Sequence, residues 1–272
     1  MGLLDRGIEV KRPDQIEAMR RAGLVVARTL ELLRDSVRAG ISTAELDVVA
    51  EGSIRSAGAT PSFQGYHGFP GSICTSVNDE VVHGIPGGRV LAEGDLVSID
   101  CGAIVDGWHG DAAITIAVGA VPDEVARLVD VTEEALWRGI AAARLGGRVS
   151  DISHAVEMYV RADGDYGILE DYVGHGIGSA MHQPPNVPNY GRPGRGPRLV
   201  QGLALAVEPM VTLGGPTTEV LDDDWTVVTT DGGWAAHFEH TFTLTPTGAW
   251  VLTALDGGEA RLAALGVPYG GR

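Results

Sequence analysis

LVSIDCGAIVDGWHGDAAITIAV, running from Leu96 to Val118, decides the fold. Two runs rich in β-branched residues flank Asp106-Gly107, a dipeptide that readily takes the positive φ angles of a two-residue hairpin loop. With those two residues as the loop, Ala113 faces Asp100 and Asp111 faces Gly102. Side chains alternate along a strand, so Asp100 and Asp111 then project from one face as diagonal neighbours, with Cβ atoms within roughly 7–8 Å. One metal ion or a close pair can bridge them. Asp106, at the turn itself, is expected to be merely solvated. Asp100 lies inside an apolar run, where an unpaired carboxylate is costly, so a metal or a cationic partner is expected beside it.

Further strand signals surround this hairpin. SICTSV and EVVHGI precede it, separated by Asn78 and followed by Pro86-Gly87-Gly88, and a mostly antiparallel sheet is implied. The first sixty residues read as two amphipathic helices, one from Ile16 to Val37 and one starting near Ser42, where Ser42 and Glu45 form a capping-box pattern. A second helical pair follows, Asp123 to Arg144 and Ser150 to Arg161, and then a strand-rich stretch from about Val173 to Leu252. Helices followed by strands thus occur twice, which predicts an α+β fold of two similar halves. Residues 1–272 are expected to form a single catalytic domain with a short N-terminal helical extension.

Five potential metal ligands are distributed across both halves: Asp100, Asp111, His175, Glu208 and Glu239. The site should therefore lie between the halves. His175 sits in GHGIG, and His182 follows seven residues later; one uninterrupted strand would put the two on opposite faces, so a turn or bulge at Gly176-Ile177-Gly178 is needed to bring them together. Glu208 lies in the apolar run LALAVEPM, where Pro209 interrupts sheet pairing, and Glu239 in AAHFEHTFTL. Each acid alone could be half of a structural ion pair. Lys11, however, is the only lysine among twenty basic residues, which leaves few cationic partners except arginine and metal. Hard carboxylate oxygens with one imidazole suit paired divalent ions, which can make hydroxide from water near neutral pH. The chain reads as a metallohydrolase.

A formal net charge of −16 would repel a nucleic-acid backbone, so direct DNA or RNA binding is not expected. Cys74 and Cys101 are the only cysteines and form no CxxC pair, so no disulfide framework is encoded and a reducing compartment is the simpler setting. The N-terminus lacks the apolar stretch of a signal peptide, Arg6 spoils a myristoylation pattern, and no segment reaches membrane-spanning length. A cytoplasmic, soluble protein is expected.

Taken together and in order, YHGFPGSICTSVNDEVVHGIP, SIDCGAIVDGWHGDAA, YVGHGIGSAMHQPPNVPNY, VEPM and HFEHT resemble the type I methionine aminopeptidases. The resemblance covers nearly everything from about Ile16 to Leu252. It implies the pita-bread (creatinase/aminopeptidase-like) fold, two pseudo-symmetric halves around a dinuclear site of Co, Mn, Fe or Zn. It implies that Asp100 chelates one ion, that Asp111 and Glu239 bridge both, and that His175 and Glu208 complete the shell of the other ion. His83 and His182 match two substrate-contacting histidines, and Glu208 matches the proton shuttle. Phe63, Tyr66, Phe69, Cys74, Met181 and Trp225 match the methionine pocket, although Met181 replaces an aromatic residue of many relatives and Phe63 a cysteine of some.

The resemblance further implies that His67 could border the pocket and that a monovalent cation could sit near Asn78. His109, His154, His237 and His240 have no assigned chemistry. Its implied substrates are nascent chains beginning with Met and a small second residue, which would include this chain's own Met1-Gly2. Transient ribosome contact would fall to the basic loop with Arg192, Arg195 and Arg198, and a monomer is the expected state. Three alternatives compete. Proline-directed relatives resemble longer chains with a separate N-terminal domain, for which about seventy residues before the first strands leave no room. The twenty-five residues between His182 and Glu208 exclude the helical insertion of the type II enzymes. A metal-free binding module would have lost ligands, and all five ligand types are present.

Overall fold

The computed structural model describes residues 7–271, so the Met1-Gly2 start lies outside them. Helix α1 (Pro13–Ser36) opens with proline, whose missing N–H costs nothing in a first turn, and buries Met19, Val26, Leu30 and Leu33 along one side. Helix α2 (Thr43–Ser56) begins at the capping box read from the sequence: Ser42 accepts from the Glu45 N–H, and Glu45 accepts from the Ser42 N–H at 2.8 Å. Strands β1 (Thr60–Pro61), β2 (Ile73–Val77), β3 (Glu80–Val82), β4 (Leu96–Val105) and β5 (Trp108–Ala117) complete the first half. Strand β3 stops short of the EVVHGI run because His83 takes φ 60° and leaves the extended region.

The second half repeats the order. It holds α3 (Asp123–Ala142), α4 (Val149–Asp163), β6 (Gly167–Ile168), β7 (Gly174–Gly176), β8 (Gln183–Val187), β9 (Ala204–Val207) and β10 (Met210–Thr212). Then come β11 (Thr218–Val220), β12 (Val227–Thr229), β13 (Ala235–His237), β14 (Glu239–Leu244), β15 (Ala249–Val251) and a short α5 (Glu259–Ala264), a helix the sequence reading did not anticipate.

Nine strands form one sheet, ordered β1-β4-β5-β14-β9-β7-β8, with β2 also on β4 and β15 also on β14. Two small sheets, β13-β10-β6 and β11-β12-β3, flank it. The β4–β5 register is the one the Asp-Gly turn dictates: Asp100 opposite Ala113 and Asp111 opposite Gly102, with Asp106 and Gly107 at φ 52° and 79°. One face of the large sheet packs against α1 and α3, which, with Val26, Leu33, Ile99, Cys101, Ile140 and Val207, build the main core. The opposite face carries the site.

Candidate metal centre

Two neighbouring rows of side chains cross this open face. The first runs Cys74, Asp100, Ala113, Glu239 over β2, β4, β5 and β14. The second joins His175, Ala206 and Thr241 over β7, β9 and β14. Asp111 enters the second row through Thr241, whose hydroxyl accepts from the Asp111 N–H at 3.1 Å and donates to the Asp111 carbonyl at 2.8 Å. Small residues opposite the acids leave the centre open. Glu208 follows the end of β9, and beyond Pro209 the chain leaves the large sheet for β10.

Asp111, His175 and Glu239 are buried, and one ligand atom from each lies within 4.8 Å of the others. His175 Nε2 stands 3.4 Å from Glu208 Oε1, while its Nδ1 lies 3.0 Å from the Gly176 carbonyl. Nδ1–H donation to that carbonyl leaves the Nε2 lone pair free for a ligand. Burial, with His182 beside it, holds the His175 imidazole down to about 3, so the ring is neutral, the form that coordinates metal.

The acids tell the same story from the other side. Burial pushes Asp100 up to about 7, and burial together with the neighbouring carboxylates pushes Asp111, Glu208 and Glu239 well above the usual range. Asp100 Oδ1, Asp111 Oδ1 and Glu239 Oε1 are buried without any hydrogen-bond partner. Each such orphan costs about 1–3 kcal/mol, so three in one place call for a counter-charge, and among the described residues no lysine or arginine is paired with them. Oxygen donors with one imidazole fit divalent cations there.

A cavity of about 140 Å³ opens beside the acids, and its walls are the residues singled out from the sequence. Phe63, Tyr66, Phe69, Cys74, Met181 and Trp225 form an apolar cluster, with Phe69 and Trp225 in edge contact at 5.0 Å. His83 and His182 also line it. His182 is reached by the required reversal: Gly176 pairs with Gln183, a register shift interrupts the β7–β8 ladder, and the His175 and His182 rings meet at 4.4 Å. His182 Nδ1 lies 2.8 Å from the Tyr66 hydroxyl.

Two expectations, those for His67 and His237, are modified. His67 is exposed and stacks edge-on against Tyr66 without lining the cavity, so it does not border the pocket. Both ends of the Asn78 side chain are engaged, with Asp95 and the Leu96 N–H, and its carbonyl accepts from the Ala235 N–H. His237, left without chemistry in the sequence reading, lies 3.8 Å from Glu208 and has a buried, unpartnered Nε2. It lines an adjoining cavity of about 190 Å³ with His83, Asp100, Tyr172, His175, His182 and Glu208. Its place two residues before Glu239 is the only signal that the sequence offers. Asp106 is solvated as expected, paired at the surface with Arg21.

A hydrophobic pocket opening onto buried, mutually repelling acids and a neutral histidine defines a metallopeptidase site, and the sequence pattern of metallopeptidase family M24 matches residues 17–246. The chain belongs to that family. Methionine aminopeptidase from Clostridium acetobutylicum is 52% identical over 250 residues, covering 92% of this chain and 100% of the relative. The crystal structure of methionine aminopeptidase from Thermotoga maritima superposes with a TM-score of 0.89 at 42% identity, covering 91% of this chain and 99% of that one. Prolidase from Pyrococcus furiosus shares the fold at a TM-score of 0.72 and 21% identity, and the match covers 90% of this chain but 65% of the prolidase. Within the family, the chain stands with the type I methionine aminopeptidases, and its architecture is the pita-bread fold.

Proposed function

We propose that this protein is a metal-dependent aminopeptidase that removes the initiator methionine from nascent chains and peptides with a small second residue. The observation that carries this reading is the apolar 140 Å³ cavity ending on carboxylate oxygens that have no partner of their own. Asp100, Asp111, His175, Glu208 and Glu239 would together hold two divalent ions per chain, drawn from Co, Mn, Fe or Zn by availability. When bound, the ions acidify a water molecule and polarise the scissile carbonyl.

The chain's own groups do the remainder. Phe63, Tyr66, Phe69, Cys74, Met181 and Trp225 enclose the methionine side chain in an apolar, partly sulfur-lined wall. Glu208 accepts a proton at its carboxylate from the attacking water and passes it to the leaving nitrogen. His83, kept neutral by burial at about 4, and His182, held against Tyr66, present ring nitrogens to the substrate carbonyl and amide. The chain acts as one catalytic domain, a reading supported by a core of described residues that draws on both halves, and a monomer is the proposed state.

Nascent chains place the site of action in the cytoplasm. Arg192, Arg195 and Arg198, all exposed, offer a transient ribosome contact, testable by co-sedimentation after all three are changed to serine. No helix among the described residues is long and apolar enough to cross a membrane. The deciding experiment is hydrolysis of Met-Ala-Ser beside Ala-Pro-Ala after chelation, then with Mn, Fe, Co or Zn restored. Metal-restored methionine release from the first alone supports the reading. Cleavage of the second moves the protein to the proline-directed relatives, and cleavage of neither leaves a binding module.

A further inference from the structure

The chain's single lysine is almost completely inside the protein. Lys11 is 4% exposed, and its side chain crosses directly over Gly178, where an added Cβ would meet Lys11 Cε at 2.3 Å. The last glycine of GHGIG leaves the room that this close approach uses. The Lys11 ammonium donates to the Glu9 carbonyl at 3.1 Å and to Gln183 Oε1 at 3.3 Å, and the Glu9 carboxylate lies 3.6 Å away. All three of its N–H donors therefore have an oxygen to face.

Glu9 works on the same turn from its other side. Its carboxylate accepts from the Ser179 N–H at 3.1 Å, the Ser179 hydroxyl at 2.8 Å and Gln183 Nε2 at 2.9 Å. The segment carrying these two residues is itself anchored, since the Lys11 N–H donates to the Gly202 carbonyl at 2.7 Å and Val10 bridges Leu203, just before β9. Gly178, Ser179 and Gln183 bracket Met181 and His182, which line the cavity. Burial lowers the Lys11 ammonium to about 8, and Glu9 opposes that fall, so the pair is charged near neutral pH.

We propose that Lys11 is a positioning residue for the peptidase reaction: with Glu9 it clamps the turn between β7 and β8 and thereby fixes Met181 and His182 over the metal-binding acids. The proposal rests on the reading of His182 given above. A long side chain that touches no substrate is thus committed to holding one that does. A buried ammonium is expensive to keep, and a hydrophobic residue of equal length would fill the same space. What the ammonium adds is the bond to Gln183, next to His182.

A double-mutant cycle separates positioning from general structural support. Lys11→Met, His182→Ala and the combined variant are assayed for kcat/KM on Met-Ala-Ser, with bound metal and melting temperature measured for each. The expected result is about a tenfold loss for Lys11→Met in the native background, less than twofold in the His182→Ala background, and unchanged metal content. Equal losses in both backgrounds, or no loss in the first, would overturn the clamp while leaving the role of His182 intact. No loss for His182→Ala alone would overturn both. If Lys11→Met fails to fold, Gln183→Met, which removes the acceptor of the same bond, is carried through the same cycle with the same expected and overturning results.

Discussion

Asp100 and Glu239 lie in one row across three strands, each directly opposite Ala113 on the strand between them. That single alanine is the floor between two carboxylates that both hold a buried, unpartnered oxygen. The strand between them also delivers Asp111 two residues earlier on the same face, so the sheet itself sets the acid spacing and no loop has to be ordered to make it.

Glu239→Gln should therefore separate metal binding from folding. Removing this carboxylate leaves the backbone ladder intact, so affinity measured by calorimetry should fall by more than the roughly 10–100-fold that outer partners of a ligand are worth. The chelated variant should melt higher than the chelated native protein at pH 8, because one of four mutually repelling buried acids is gone. A lower melting point would show that Glu239 is held by a structural partner instead.

How much of this was legible beforehand differs from residue to residue. Asp100 and Asp111 were readable from local chemistry alone, because a two-residue Asp-Gly loop leaves only one register for the strands that follow. Their row partners Glu239 and His175 were not, since nothing local says that β14 pairs with β5 or that β9 stands between β14 and β7. Those joined the set by residue type and by resemblance, as did the pocket. His237 was missed for the same reason: its approach to Glu208 depends on β13 meeting β10, a pairing of two three-residue strands with no turn signal to predict it. The EVVHGI run reads as a longer strand than β3 because a positive φ at His83 has no mark in the sequence.

The pH dependence of the metal-free protein follows from the same acids. Asp100 is raised to about 7 when folded, from an ordinary carboxylate value near 4. Between those values the folded protein holds a proton that the unfolded chain has released, so stability falls as pH rises through this window, and the contribution is complete only below about 4. Chelated protein should thus melt at a lower temperature at pH 7.5 than at pH 5. Restoring Mn should flatten or reverse that slope, because the ion stabilises the ionised acids. A flat profile without metal would mean that the acids are already neutralised by something other than protons.

Trp225 tests the pocket. It touches Phe69 edge-on at 5.0 Å and approaches His83 at 6.2 Å, closing the cavity wall beside that histidine. Trp225→Ala removes aromatic contact worth about 1.5–3 kcal/mol, which corresponds to roughly a ten- to hundredfold lower kcat/KM for Met-Ala-Ser. Metal content should not change. The enlarged cavity should also narrow the preference for methionine over a bulkier first residue such as phenylalanine, measured on matched tripeptides. Unchanged kinetics would remove Trp225 from the pocket.

Asp106 supplies the opposite case on the same hairpin. It is an acid only five residues before Asp111, yet it points outward, and its carboxylate meets Arg21 at 2.8 Å with both side chains largely exposed. An exposed pair of this kind contributes about 0–1 kcal/mol, so losing it is nearly silent. The backbone matters more: at φ 52° an aspartate tolerates the left-handed region better than alanine, which pays about 1–2 kcal/mol there. Asp106→Ala should therefore lower the melting temperature by a few degrees and leave metal affinity and kcat/KM unchanged. Asp106→Gly should recover most of the lost stability, since glycine takes that φ freely. Loss of metal binding in either variant would mean that the turn, and not the strand face, carries the acid that matters.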